Sequence, residues 1–386
     1  MPVINRIADF SADMAGWRRH LHAHPELRFD CHATAAYVVA QLRAFGITDI
    51  HTGIATSGVV AVIDGQGDGP TIGLRADMDA LPMDETTGLP YRSTHAGAMH
   101  ACGHDGHTTM LLGAARYLAE TRNFRGRVAL IFQPAEENGG GAGVMVAEGV
   151  LDRFGIEQVY ALHNLPGLPV GHFTTVPGPI MAAVDTVTLR LRGRGGHAAM
   201  PHLAADPLIA AVSLVQGMQS IVSRNHDPMQ ELVVSVTQIH AGSADNVIPD
   251  EAWVQATVRT FEPAVQAMVQ ARVQALADGH ATAYGVAVDV DYEVGYPPTV
   301  NDADSTAFAA AVAREVAGDA AVSVEMCPEM GAEDFAFFLN ERPGAYLFIG
   351  NGESAGLHNP NFDFCDETTA YGASFFARLV ERAQPV

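Results

Sequence analysis

Apolar and polar positions change their period several times along the 386 residues. Over 108–121, Met110, Leu111, Leu112, Ala114, Ala115, Leu118 and Ala119 recur at helical spacing, which predicts a helix. A helical period also covers 11–21, with Ser11 placed to cap it and Pro25 beyond its end, and 34–45, with Gly46 just past the last turn. Short β-branched runs at 59–63 and 71–75 lie between glycines and predict strands. The segments 128–132 and 159–162 are apolar at every position, the pattern of parallel strands covered on both faces.

Near residue 182 the pattern changes. Residues 184–191 alternate, with Val187, Leu189 and Leu191 on one side, and a helix follows over 206–223. Strands at 232–239 and 252–260 are joined by a turn over 242–249, then come a helix over 263–284 and a strand over 286–294. The order β-α-β-β-α-β is that of a ferredoxin-like unit, and about 110 residues suffice for an independent domain. The first pattern returns with a helix over 305–316, a strand over 345–349 and a helix over 368–383. The expected architecture is α/β. Helices flank a mixed, mostly parallel sheet shared by 1–181 and 296–386, and a ferredoxin-like α+β domain is inserted over 182–295.

The chemistry gathers where these strands end. Before the 108–121 helix the chain reads His100-Ala-Cys-Gly-His-Asp-Gly-His107, which puts Cys102, His104, Asp105 and His107 within six residues. Thiolate, imidazole and carboxylate are the ligands of divalent transition metals. No second Cys-x-x-Cys follows, so further ligands come from far away in sequence, as in a catalytic site and unlike a closed structural one. Glu136 and Glu137 follow the run ending at Phe132, His163 follows the run ending at Leu162, and His358 lies beyond the 345–349 strand. Open α/β sheets bind ligands at that carboxyl edge. Asp77 and Asp79, just past the 71–75 strand, are placed to support ligand histidines from behind. Arg18, Arg19, His20, His22 and His24 crowd the end of the first helix, where cations suit its dipole.

Composition narrows the function classes. The formal net charge of −22 repels phosphate backbones and argues against a nucleic-acid partner. Hydrophobic residues at 48% and charged residues at 17% exclude a disordered chain. Four cysteines without a framework point to a reducing compartment. No signal-peptide pattern opens the chain and no run of about 18 apolar residues occurs, so a cytoplasmic location away from membranes is expected.

Taken together, the motifs resemble those of the aminoacylase and carboxypeptidase family of dinuclear metallopeptidases, more narrowly its amidohydrolase branch. They run almost the length of the chain: Arg18-Arg-His-Leu-His-Ala-His-Pro-Glu-Leu27, Leu74-Arg-Ala-Asp-Met-Asp-Ala-Leu-Pro-Met83, the Cys/His motif, Gln133-Pro-Ala-Glu-Glu137, Gly193-Arg-Gly-Gly-His-Ala-Ala-Met-Pro-His202, Asn246-Val-Ile-Pro-Asp250, Gly331-Ala-Glu-Asp-Phe335 and Leu357-His-Asn-Pro360. The resemblance implies a lid domain that also forms a homodimer interface. It implies two divalent ions (Zn, Mn, Co or Ni) held by Cys102, His104, Glu137, His163 and His358, one ligand bridging. It makes Glu136 the general base and His197 a donor to the oxyanion. Asn246 and Arg259 are candidates to clamp the substrate carboxylate, since an arginine fork suits that group. Many relatives outside this branch carry His-x-Asp where this chain has Asp77-Met-Asp79, so that histidine ligand is missing and the Cys102/His104 pair stands in its place.

The implied activity is hydrolysis of the amide of a small N-acyl amino acid, hippurate or an N-acetyl amino acid, by a metal-activated water with Glu136 moving the proton. The alternatives are a metal-dependent exopeptidase or dipeptidase on the same scaffold, and a metal- or peptide-binding protein without catalysis.

Overall fold

The runs that are apolar at every position lie inside an eight-stranded sheet in the computed structural model, which describes residues 3–386. From edge to edge its strands are Asp49–Ile54, Gly58–Asp64, Arg127–Gln133, Thr71–Asp77, Ile156–Leu165, Gly344–Gly350, Phe173–Thr174 and Val322–Ser323. The central four are mutually parallel, and antiparallel partners flank them. Every residue from 128 to 133 is buried, as expected of a strand covered on both faces. The parallel register pairs Asp77 with Gln133 and Phe348 with His163, so the carboxyl ends of these strands share one edge.

The helix His104–Thr121 packs on this sheet beside Thr368–Ala383 and Ser11–Ala23. It starts earlier than its apolar period indicates. Gly103, at φ +96°, turns the chain, and the N–H groups of Gly106 and His107 bond to its carbonyl, so His104, Asp105 and His107 join the first turn. The strand Thr71–Asp77 likewise runs two residues beyond the apolar run, because its register with Arg127–Gln133 continues to Asp77. Ser11 does not cap its helix. The short helix Asn5–Ala8 leads straight into it, and the Ser11 hydroxyl donates to the Ala8 carbonyl at 2.8 Å. The helix His32–Ala44 is capped from outside its own sequence: the Glu26 carboxylate accepts from Ala33 N and Thr34 N at 3.1 and 2.7 Å.

The chain divides into two compact units, one of residues up to 180 with Thr299–Cys327 and Asp334–Val386, the other of Met181–Pro298 with Pro328–Glu333. The second unit has the ferredoxin-like order. Its sheet runs Leu232–Ala241, Glu251–Thr260, Ala183–Arg192, Ala287–Val294, antiparallel throughout. Val187, Leu189 and Leu191 face its core, and Val265, Val269, Val273 and Ala277 line the buried stripe of the helix Pro263–Tyr284 at four-residue spacing. Asp206 caps the other helix, Pro207–Ser220, through Leu208 N and Ile209 N. A two-stranded ribbon pairs Gly196–His197 with Val247–Ile248, the latter inside the expected turn over 242–249. No described helix is long and apolar enough to cross a membrane.

Candidate metal centre

The five residues that the resemblance names as ligands come together in the larger unit at the carboxyl edge of its sheet. Ligand atoms of Cys102, His104 and His163 lie within 4.8 Å of one another, and so do those of Cys102, Glu137 and His358. Cys102 is common to both sets. Each element delivers its residue for a local reason: Gly103 lets Cys102 and His104 turn inward around the helix start, the strand Ile156–Leu165 carries His163, and the loop after Gly344–Gly350 carries His358. His358 adopts φ +60°, unusual for a residue with a side chain, and its N–H bonds to the Ala101 carbonyl at 2.8 Å.

The imidazoles of His104 and His163 each turn Nε2 inward. His104 Nδ1 donates to the Asp79 carbonyl at 2.8 Å, which leaves Nε2 facing inward without a hydrogen bond, 3.9 Å from Glu136 Oε2 and from Glu137 Oε1. His163 Nδ1 donates to the Asn164 carbonyl at 2.8 Å, and its Nε2 lies 3.4 Å from Cys102 Sγ. Glu137 Oε1 is buried without a hydrogen bond, although His358 Nε2 comes to 3.3 Å. Orphaned buried acceptors that converge from several elements are what a cation would satisfy. The electrostatics agree. Burial, then Glu137 and Glu136, push the Cys102 thiol well above its ordinary range. Burial works against charge on His104, yet Asp77, Asp79 and Glu137 raise it to about 10. Burial and His107 hold His163 far below the usual imidazole value. The carboxylates thus favour retained protons on Cys102 and His104 while His163 stays neutral, and a divalent ion replaces protons at such ligands. Thiolate, imidazole and carboxylate fit a divalent transition metal.

Glu136 is buried beside this cluster. The Asp79 carboxylate accepts from Glu136 N at 2.9 Å and from Glu137 N at 3.1 Å, so it holds the glutamate pair by its backbone. Asp77 meets His107, at 2.6 Å, and Arg75, also at 2.6 Å. Arg75 further reaches Gln133 Oε1 at 2.8 Å and Asp334 Oδ1 at 3.1 Å, all buried. Sequence spacing singled out neither Arg75 nor Asp334. An arginine inside a continuously apolar strand is the signal that could have marked the first.

Asp105 and His107 do not join the five. His107 has partners at both ring nitrogens. Asp105 turns away to His22 Nδ1 at 2.8 Å and Arg18 Nη1 at 3.7 Å. His22 and Arg18 are therefore no exposed cations at a helix end: both are buried, with Arg18 also on Asp363 and Asp366 at 2.9 and 2.7 Å. Burial alone would lower the His22 pKa, but Asp105 and Glu85 outweigh it and raise it to about 9. An unfolded histidine titrates near 6.5. Protonated His22 therefore stabilises the fold fully below that value and loses its contribution as pH rises through about 9. The melting temperatures of the wild type and His22→Gln should differ most at about pH 6 and converge towards about pH 10. A gap independent of pH would refute the charged pair.

His197, Asn246 and Arg259 belong to the smaller unit. His197 and Asn246 are exposed on and beside the ribbon: Ala199 N donates to His197 Nδ1 at 3.1 Å, and the Asn246 carbonyl accepts from Ala198 N at 3.0 Å. Arg259 is half-buried on the strand Glu251–Thr260, with Nε on Thr257 Oγ1 at 3.3 Å.

Known proteins resemble this chain over nearly its whole length. The chain is 42% identical over 376 residues to the N-acetyl-L-cysteine deacetylase of Bacillus subtilis, covering 96% of this chain and 88% of that protein. It is 40% identical over 379 residues to the hippurate hydrolase of Campylobacter jejuni, covering 98% of both. Among solved structures, a dinuclear metal-binding peptidase of the M20 family from Bacillus subtilis superposes with a TM-score of 0.85 at 34% identity, covering 98% of this chain and 99% of that one. Residues 73–382 match the family model described as Peptidase family M20/M25/M40, and the chain belongs to this family.

Proposed function

We propose that this protein is a metal-dependent amidohydrolase that cleaves the amide bond of small N-acyl amino acids. The observation that carries the reading is the convergence of buried Cys102, His104 and His163 with Glu137 and the more exposed His358, in two sets that have Cys102 in common and with Glu136 beside them, in a relative of amide hydrolases. Cys102, His104, His163, Glu137 and His358 would hold two divalent ions. Zn, Mn, Co and Ni all suit these donors. When bound, the ions polarise the scissile carbonyl and lower the pKa of water towards neutrality.

The chain's own residues do the rest. Glu136 accepts a proton from the attacking water and returns it to the leaving amine, a task that suits a carboxylate fixed by its backbone to Asp79. His197 donates to the developing oxyanion: its Nδ1 accepts from Ala199 N, which puts the ring proton on Nε2. Arg259 and Asn246 take the substrate carboxylate.

The smaller unit serves as the interface of a homodimer. Its two sheet edges differ in a way that supports this. The strand Ala287–Val294 presents Asp289, Asp291 and Glu293 to solvent, charges that block strand addition. The opposite edge, Leu232–Ala241, exposes uncharged Ser235, Thr237 and Ile239, next to exposed Ile209, Val212 and Val222. Light scattering should give twice the 40.8 kDa chain mass, and a monomer would refute the assignment. The four unpaired cysteines favour a reducing compartment.

Chelation tests the central claim. Protein stripped of metal should lose hydrolysis of hippurate and N-acetyl amino acids, and Zn²⁺, Mn²⁺, Co²⁺ or Ni²⁺ should restore it. Parallel assay of free dipeptides separates amidohydrolase from dipeptidase. Full activity after verified stripping would exclude the mechanism.

A further inference from the structure

His107 closes the Cys/His motif, and both its ring nitrogens have partners. Its Nδ1 lies 2.6 Å from Asp77 Oδ1. Its Nε2 accepts the backbone N–H of Asn164 at 3.0 Å, and the side-chain amide of the same residue lies 2.7 Å away. Asp77 is held from its other oxygen by Arg75 Nη1 at 2.6 Å. All four side chains are buried. A line of contacts thus runs from Arg75 through Asp77 and His107 to Asn164 and ties the strand ends of Thr71–Asp77 and Ile156–Leu165 to the first turn of the helix His104–Thr121.

The far end of that line touches the centre twice. Asn164 adjoins His163, and its carbonyl accepts from His163 Nδ1. Its side chain also fills the space over Gly103, where a Cβ would come within 2.2 Å of Oδ1, and Gly103 is the residue between Cys102 and His104. The rings of His107 and His163 lie against each other with centroids 4.4 Å apart. His104 and His107 are three apart on one helix, so one face offers both an inward lone pair and a brace behind it.

We propose that His107 is a positioning residue and not a ligand: it couples the buried Arg75–Asp77 pair to Asn164, and so sets the His163 ring and the Gly103 turn that aims Cys102 and His104. The role needs a rigid group that donates on one side and accepts on the other, which imidazole supplies and a single amide does not. It also gives Asp77 a task. In place of the histidine that many relatives carry there, it directs the helix face through His107. The inference rests on the metal-centre reading above.

The test uses the full chain with isotope-labelled histidine and an NMR-active cadmium isotope. Cadmium should couple to ring nitrogens of His104, His163 and His358 and not to His107, whose Nδ1–H should stay hydrogen-bonded with and without metal. Coupling at His107 would overturn the inference alone. No cadmium uptake would overturn the metal-centre reading and the inference with it. A second measurement probes the brace. His107→Asn keeps a donor for Asp77 and loses the link to Asn164. Its Co²⁺ affinity, by chelator competition, should fall about 10–100-fold, the usual cost of losing a partner behind a ligand, with an altered thiolate-to-cobalt absorption band. Wild-type affinity in the folded variant would overturn the proposal, and if the variant does not fold, the cadmium couplings of the wild type decide.

Discussion

Glutamine in place of Glu136 should lower kcat by about 10²–10⁴-fold, the contribution of a positioned proton-transfer group, with metal affinity unchanged. The side chain is buried at the centre, and its backbone is held by Asp79 at 2.9 Å, so an amide of the same shape should keep the geometry and lose only the basicity. Glu136 Oε2 stands 3.9 Å from His104 Nε2, while neighbouring Glu137 joins Cys102 and His358. Steady-state kinetics on hippurate, with metal affinity measured by chelator competition, checks the division of labour between the two glutamates. An unchanged kcat would remove Glu136 from the proton path. Loss of metal in step with loss of rate would make it a ligand.

The second large effect is on stability. Arg75→Met should cost about 3–5 kcal/mol, the penalty for removing one partner of a buried ion pair. Arg75 is buried on the inner strand Thr71–Asp77 and faces two buried carboxylates, Asp77 and Asp334, with Gln133 beside them. Methionine fills much of the volume but leaves both carboxylates without that guanidinium. Arg75 and His104 together hold the Asp77 carboxyl well below its usual range against the opposing effect of burial, and this support falls with the arginine. Urea unfolding of the metal-free protein measures the loss directly. A change under about 1 kcal/mol would show that the pair adds nothing over packing.

The local pattern already contained most of the fold. Strands buried on both faces read as unbroken apolar runs, and the four-residue stripe of the helix Pro263–Tyr284 is visible by counting. Short strands such as Phe173–Thr174 and Val322–Ser323 are not, because two-residue strands exist only through their neighbours' register. Similarly, His104 and His107 look alike in sequence. Only the tertiary arrangement turns one nitrogen of His104 inward and gives both nitrogens of His107 to Asp77 and Asn164, which lie 30 and 57 residues away.

By itself, then, the sequence determined the longer elements, the placement of Cys102 and His104 on a loop entering a helix and of Glu136, Glu137, His163 and His358 beyond strand ends, and the motifs that mark the family, because hydrophobic period is a local property. The tertiary structure alone decided the partners of the charged residues: Asp77 on Arg75 and His107, Asp79 behind the glutamate pair, and Arg18 and His22 buried on acidic groups. A buried charge must find a counter-charge wherever the fold supplies one, and that partner stands in no fixed relation to it along the chain.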